Sequence, residues 1–184
     1  MLPNLRNLPI FVYQSMDDRN VPPWSNLFAT AELDRLHEKY GGFDHVFEKV
    51  DGRAHALPEK GPGPGVKWAM QHVRDPRPKR VVWQPFRPWK RAFFWLWWDN
   101  PVIGALVDAE LVGDNVIDVR TKADPTGLAI LLDERMVDLS RPVVLKLNGT
   151  LRREVKVADS LAAMLATAAE RRDPELVFRA RVGL

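Results

Sequence analysis

The sequence predicts an α/β segment of order β-α-β-α followed by a mainly-β, sandwich-like domain with one helix. Three observations carry this. Strand-like runs and helical periodicities alternate as far as residue 73, the order of a parallel sheet covered by helices. The stretch Arg74-Asp75-Pro76-Arg77-Pro78 then blocks helix continuation and favours an extended linker. Beyond it come short strand-like runs separated by turn signals, the pattern of a sandwich. The predicted domains are therefore 1–75 and 76–184.

The elements follow in order. Residues 8–15 (LPIFVYQS) are β-branched and aromatic, with Pro9 at the edge, and read as a buried strand. Residues 24–40 read as a helix. Pro22 and Pro23 precede it, Trp24, Leu27, Phe28, Ala31 and Tyr40 recur at helical spacing, and Gly41-Gly42 ends it. Residues 45–50 (HVFEKV) form a second strand. A loop rich in Gly and Pro leads to a short helix over 65–73. Downstream strands are expected at 79–84, 92–98, 105–111, 116–121, 128–132, 142–147, 151–157 and 176–182. Alternation in 143–157 favours a three-residue Leu147-Asn148-Gly149 loop, which sets Leu145 opposite Leu151 and gives Gly149 the positive φ. Arg153 then falls on the apolar face and belongs at a sheet edge. A helix over 160–172, capped by Asp159 or Ser160, carries the apolar stripe Leu161, Met164, Leu165 and Ala168.

Composition narrows the function classes. Apolar residues make up 46% and charged residues 28%, as in ordinary globular proteins. The absence of cysteine removes disulfides, thiolate metal sites and cysteine nucleophiles. The net charge is only +3 with acids spread throughout, so no nucleic-acid partner is expected. The basic run from Arg74 to Arg91 reads as a solvated linker face. No apolar stretch is long enough to span a bilayer, so no membrane partner is expected either. No metal-ligand spacing and no phosphate-binding glycine loop is present. Gly61-Pro62-Gly63-Pro64-Gly65 holds too many prolines to present successive N–H groups. No cofactor is implied.

The chemistry-bearing residues lie at the ends of the first two strands. After the first comes Ser15-Met16-Asp17-Asp18-Arg19-Asn20-Val21-Pro22. After the second comes Gly52-Arg53-Ala54-His55, with Pro58 beyond. A helix and a strand separate the two turns, as in one βαβ unit. Parallel strands bring their C-terminal ends to one edge of the sheet, where sites form. A carboxylate there can fix the tautomer and orientation of an imidazole that acts as general base. His37 and His72, in helices, and His45, opening a strand, carry no motif.

These two turns resemble the acid-bearing turn and the histidine loop of α/β-hydrolases. The resemblance implies that Asp18 is the triad acid and His55 the catalytic histidine, and that 8–15 and 45–50 are the last strands of the hydrolase sheet. Ser15 departs from the pattern, which usually has glycine there, and Asp17 is a neighbouring carboxylate. The G-x-S-x-G nucleophile turn occurs nowhere in the sequence. None of Ser15, Ser25, Ser140 and Ser160 sits in a Gly-flanked strand-to-helix turn. The run from Gln71 to Trp83 resembles the join in bacterial multidomain esterases, related to prolyl oligopeptidases and dienelactone hydrolases, where a hydrolase domain leads into a C-terminal β-domain.

The function so implied is the C-terminal part of a serine esterase or peptidase-like hydrolase, inactive alone. The bond cleaved is then an ester or a peptide bond, the substrate a carbohydrate or an ester, and the partner either the missing N-terminal hydrolase half or a second copy. The alternative is a non-catalytic β-sandwich module that binds carbohydrate or a protein partner. Its basis is the aromatic crowd Trp83, Phe86, Trp89, Phe93, Phe94, Trp95, Trp97 and Trp98. Core and domain interface, a sugar-binding platform, and nucleic-acid stacking compete to explain that crowd. The low net charge weighs against the last.

Overall fold

The computed structural model describes residues 1–184. The chain is mixed α/β and mostly sheet, and it divides into two compact units, Leu2–Asp75 and Pro76–Leu184.

In the first unit, β1 (Ile10–Ser15) and β2 (His45–Val50) form a two-stranded parallel sheet. The register runs from Ile10 opposite His45 to Ser15 opposite Val50, without a bulge. Helix α1 (Trp24–Tyr40) is the crossover between them. It buries Thr30, Leu33, Leu36 and Tyr40. Trp24 and Phe28, two of the apolar residues at helical spacing, are 70% and 69% exposed. The buried positions run from Thr30 to the end of the helix, and its first turn stands open.

Gly41 and Gly42 both take positive φ as the helix ends. A side chain at Gly42 would meet the Arg6 carbonyl oxygen at 2.6 Å, and that oxygen accepts the Phe43 N–H. Helix α2 (Gly63–Ala69) begins two residues earlier and ends four earlier than its spacing predicts. It seats Trp68 against Phe11, ring centroids 5.9 Å apart. Gly65 permits that approach, since a Cβ there would stand 3.0 Å from the Phe11 ring.

In the second unit two sheets contribute to one hydrophobic core. The larger has five strands in the order β10-β9-β7-β6-β3: β3 (Arg80–Trp83), β6 (Val107–Gly113), β7 (Val116–Thr121), β9 (Val143–Leu147) and β10 (Thr150–Val155). The other orders β11-β8-β5-β4: β4 (Ala92–Phe93), β5 (Leu96–Trp98), β8 (Leu128–Leu132) and β11 (Ala180–Gly183). All pairs are antiparallel except β7 with β9. The expected strand 92–98 is two strands, folded back at Phe94, which takes φ 48°. Trp83, Trp95, Trp97 and Trp98 are all buried. The Trp95 indole N–H donates to the Pro78 carbonyl, 2.8 Å away.

Three local expectations are corrected. The β9–β10 hairpin has a two-residue loop, with Asn148 and Gly149 both at positive φ, the backbone form that matches the twist of adjoining strands. A bulge between Leu151 and Arg153 restores the face pattern, so Leu145 faces Arg153 and not Leu151. Arg153 nevertheless lies on an exposed edge strand. Helix α3 (Leu161–Arg171), capped by the Ser160 side chain, buries Ala163 and Thr167. Leu161 and Leu165 face outward, because the small residues allow the closer approach and the Thr167 hydroxyl accepts the Phe178 N–H.

The basic run is not uniformly solvated either. The Arg77 side chain is only 5% exposed, pairs with buried Asp133 at 2.5 Å, and donates to the Glu175 and Val177 carbonyls. Its guanidinium lies 4.8 Å from the Phe178 ring centroid.

Two substitutions should therefore be costly. Trp95→Ala removes a fully buried indole, and a loss of about 3–5 kcal/mol is expected. Asp133→Ala leaves Arg77 enclosed without its carboxylate, at a similar cost of about 3–5 kcal/mol. Leu151→Ala, 61% exposed at the edge, should change stability by less than about 0.5 kcal/mol. Urea titration of the three variants checks this ordering.

Candidate active site

β1 ends in Gln14 and Ser15, both buried, and the chain turns outward through Asp17 and Asp18. One carboxylate oxygen of Asp18, Oδ1, accepts the N–H groups of Asn20 and Val21 at 2.8 and 2.9 Å. This is the local turn that Asp readily forms with backbone donors two and three residues on. The other, Oδ2, lies 2.9 Å from His55 Nδ1. The structure thus brings together the two residues singled out from the sequence. Asp18 has a side chain 9% exposed, while that of His55 is 57% exposed.

Two further residues hold the histidine loop in place. The Ser15 hydroxyl donates to Asp17 Oδ1 at 2.5 Å and accepts the Arg53 N–H at 3.3 Å. Asp17 Oδ1 also accepts the Ala54 N–H at 3.1 Å. Ala54 takes φ 45° and Gly52 φ 72°, so the loop bends sharply on this clip before it presents His55. Asp17 does not pair with the imidazole. Ser15 acts here as a strut between the two strand ends. Its spacing, a hydroxyl two residues before a carboxylate, was the signal available in the sequence.

Gln14 was not singled out from the sequence. Its side-chain amide donates to the Ser15 and Val21 carbonyls at 2.7 and 3.1 Å. Its oxygen accepts from Asn26 at 2.7 Å. This ties the acid turn to the start of α1.

A cavity of about 430 Å³ adjoins the pair, with Tyr13, Gln14, Asp18, Val21, His55 and Leu57 in its wall. The Tyr13 hydroxyl is enclosed and has no hydrogen-bond partner. His55 also borders a smaller hollow of about 280 Å³ with Asp17, Arg19 and Asn20. A larger hollow, about 550 Å³, lies in the second unit. Its Arg135, Arg141 and Glu134 are paired with Asp133, Asp138 and Arg179, and Lys79 and Asp114 also line it.

The other histidines take local roles. His37 Nδ1 meets the Gly42 carbonyl, His45 Nδ1 meets that of Phe43, and the His72 ring rests 4.4 Å from Trp68. No group of three or more His, Cys, Asp or Glu side chains is placed to hold a metal. No helix is long and apolar enough to cross a membrane. No protein-family model, curated protein or solved structure matches this chain.

The electrostatics favour charged carboxylates. The Val21 N–H, and after it the His55 ring and the Asn20 N–H, hold Asp18 below the ordinary value of 3.8 against partial desolvation. The Ser15 hydroxyl does the same for Asp17, helped by the Ala54 N–H. A carboxyl whose folded pKa is depressed adds stability that is present above its ordinary pKa and is lost as pH falls through the folded value. The Arg53 and Ala54 amides should therefore keep their protection from hydrogen exchange down to pH 3.8 and lose it only below. Asp17→Ala should remove that protection at neutral pH while leaving the β1–β2 amides unchanged. Exchange measured residue by residue checks both.

Proposed function

We propose that residues 1–75 are the C-terminal part of an α/β-hydrolase-type serine hydrolase, esterase or peptidase-like, followed by a β-sandwich-like domain over 76–184. Asp18 is the triad acid and His55 the general base. One observation carries the reading: Asp18 Oδ2 and His55 Nδ1 meet at 2.9 Å, just past the C-terminal ends of two parallel, in-register strands.

The chemistry follows from that contact. Asp18 accepts a hydrogen bond from Nδ1–H, so the ring proton stays on Nδ1 and Nε2 is left bare, able to accept a proton from an attacking hydroxyl. The imidazolium so formed is stabilised by the carboxylate and returns the proton to the leaving group. The hydroxyl comes from outside these residues. Ser15 is buried and committed to Asp17. Ser140 donates to Asp138, Ser160 caps α3, and Ser25 stands in the first turn of α1 and not in a strand-to-helix elbow.

Two further features fit an incomplete hydrolase sheet. β1 has a strand neighbour on one side only. Apolar surface stands open beside the pair at Val21 and Leu57, and on the adjoining first turns of α1 at Trp24 and Phe28. The missing hydrolase half, or a second copy of this chain, would cover that surface.

The DNA directly upstream of the Met1 codon tests the reading. It should encode a G-x-S-x-G turn in frame. In the elongated product a fluorophosphonate probe should label that serine, and His55→Ala should slow labelling at least about 1,000-fold. The 184-residue chain alone should remain unlabelled. An upstream sequence without such a turn, or stoichiometric labelling of a serine within these residues, contradicts it.

A further inference from the structure

The aromatic crowd of the second unit splits into two populations. Trp83, Trp95, Trp97 and Trp98 are in the core with Phe93 and Phe94 packed against it, whereas Phe86 and Trp89 are 44% and 68% exposed. Both exposed rings sit on the loop between β3 and β4. The neighbouring loop after β5 exposes Val102 and Ile103, at 44% and 51%. The two loops are tied together: the Gly104 N–H donates to the Pro85 carbonyl at 2.8 Å, and the Gln84 amide donates to the Gly104 carbonyl at 3.1 Å. Single exposed apolar residues are ordinary, but a contiguous group marks an interaction surface.

The arrangement is also stiffened. The Arg87 guanidinium lies 5.8 Å from the Phe86 ring centroid and 5.4 Å from that of Trp89. Pro85 and Pro88 fix the backbone on either side, and the Lys90 and Arg91 N–H groups close turns onto the Arg87 and Trp89 carbonyls. A surface ordered beforehand loses little entropy on binding.

We infer that these two loops are a docking site for a segment of another protein that carries an apolar anchor flanked by carboxylates. Trp and Arg are the side chains most enriched where binding energy concentrates in protein interfaces. Neither Arg87 nor Lys90 has a carboxylate within ion-pair reach, and only the more distant Glu170 acts on Lys90. Burial, and then the Arg171 charge, hold Lys90 below its ordinary value, only partly offset by Glu170.

The count of free cations selects the partner class. Arg91 is engaged with Glu170 at 3.7 Å and lies over Trp97, which leaves Arg87 and Lys90. Anionic membrane recognition uses clusters of about 4–8 basic residues, and nucleic acid offers a run of phosphates that needs several contacts. A neutral sugar leaves both cations unanswered. Two cations beside an apolar centre match one or two carboxylates flanking an anchor side chain. This inference does not depend on the hydrolase reading.

The test uses the isotope-labelled full chain and three sets of short synthetic peptides. One set has Phe, Leu or Trp flanked by Asp or Glu, the second has the same anchors flanked by Lys, and the third is acidic without an anchor. The first set should bind and move the amide signals of residues 84–91 and 99–104. Trp89→Ala should weaken binding about tenfold or more, and Arg87→Glu should transfer the preference to the Lys-flanked set. Both substitutions are at the surface, and circular dichroism confirms that each variant folds. The inference is overturned if no set binds, if binding ignores flank charge, or if Trp89→Ala leaves it unchanged. Tighter binding to phosphatidylserine vesicles, single-stranded DNA or oligosaccharide, or self-association through this patch, overturns it equally.

Discussion

The parallel pairing of β1 with β2 is the constraint on which the Asp18–His55 arrangement depends. Ser15 stands opposite Val50, and both chains leave the sheet at the same level. A slip of one residue would move one turn about 3.3 Å along the other and reverse every side chain between the faces. Either change would carry the imidazole out of hydrogen-bond reach of the carboxylate. Register alone does not finish the geometry, because two long turns can still splay. The Ser15–Asp17 clip on the Arg53 and Ala54 N–H groups supplies the remaining restraint. Gln14 restrains the acid turn from the other side.

The second unit relies on a different device. Trp83 and Trp98 meet edge to face in its core, and the Trp95 N–H reaches back to the carbonyl of Pro78. Polar atoms of buried aromatic residues need such partners. One bond thereby satisfies the indole and fixes the entering chain. Arg77, one residue before Pro78, is packed on Phe178 and paired with Asp133. A stretch with the composition of a linker is in this way part of the packed unit.

Most of the elements were legible in the sequence because their signals are local. The helix over 24–40, the strands 45–50, 116–121 and 128–132, and the Ser160 cap follow from periodicity, β-branching and capping chemistry. What escaped depends on tertiary partners. Arg77 looked solvated because its acid is 56 residues away. The outward face of α3 was misjudged because Ala163 and Thr167, small and partly polar, pack more closely than Leu161 or Leu165 can. The hairpin loop was misjudged because a bulge at Leu151, invisible to an alternation count, absorbs the mismatch that seemed to demand a longer loop. At the site, the residues Asp18 and His55 were legible as a pair. The supporting roles of Ser15, Asp17 and Gln14 were harder to read, since apart from the short Ser15–Asp17 spacing they depend on partners at Arg53, Ala54, Val21 and Asn26 that only the fold brings near.

The central claim is that Asp18 sets the tautomer of His55 and leaves Nε2 free to take a proton. Long-range proton–nitrogen NMR of the ring in its neutral form measures this directly. The account predicts that Nδ1 carries the proton and Nε2 is bare, and that Asp18→Asn shifts the ring toward a mixture of tautomers. A ring already protonated at Nε2, unchanged by Asp18→Asn, would contradict it.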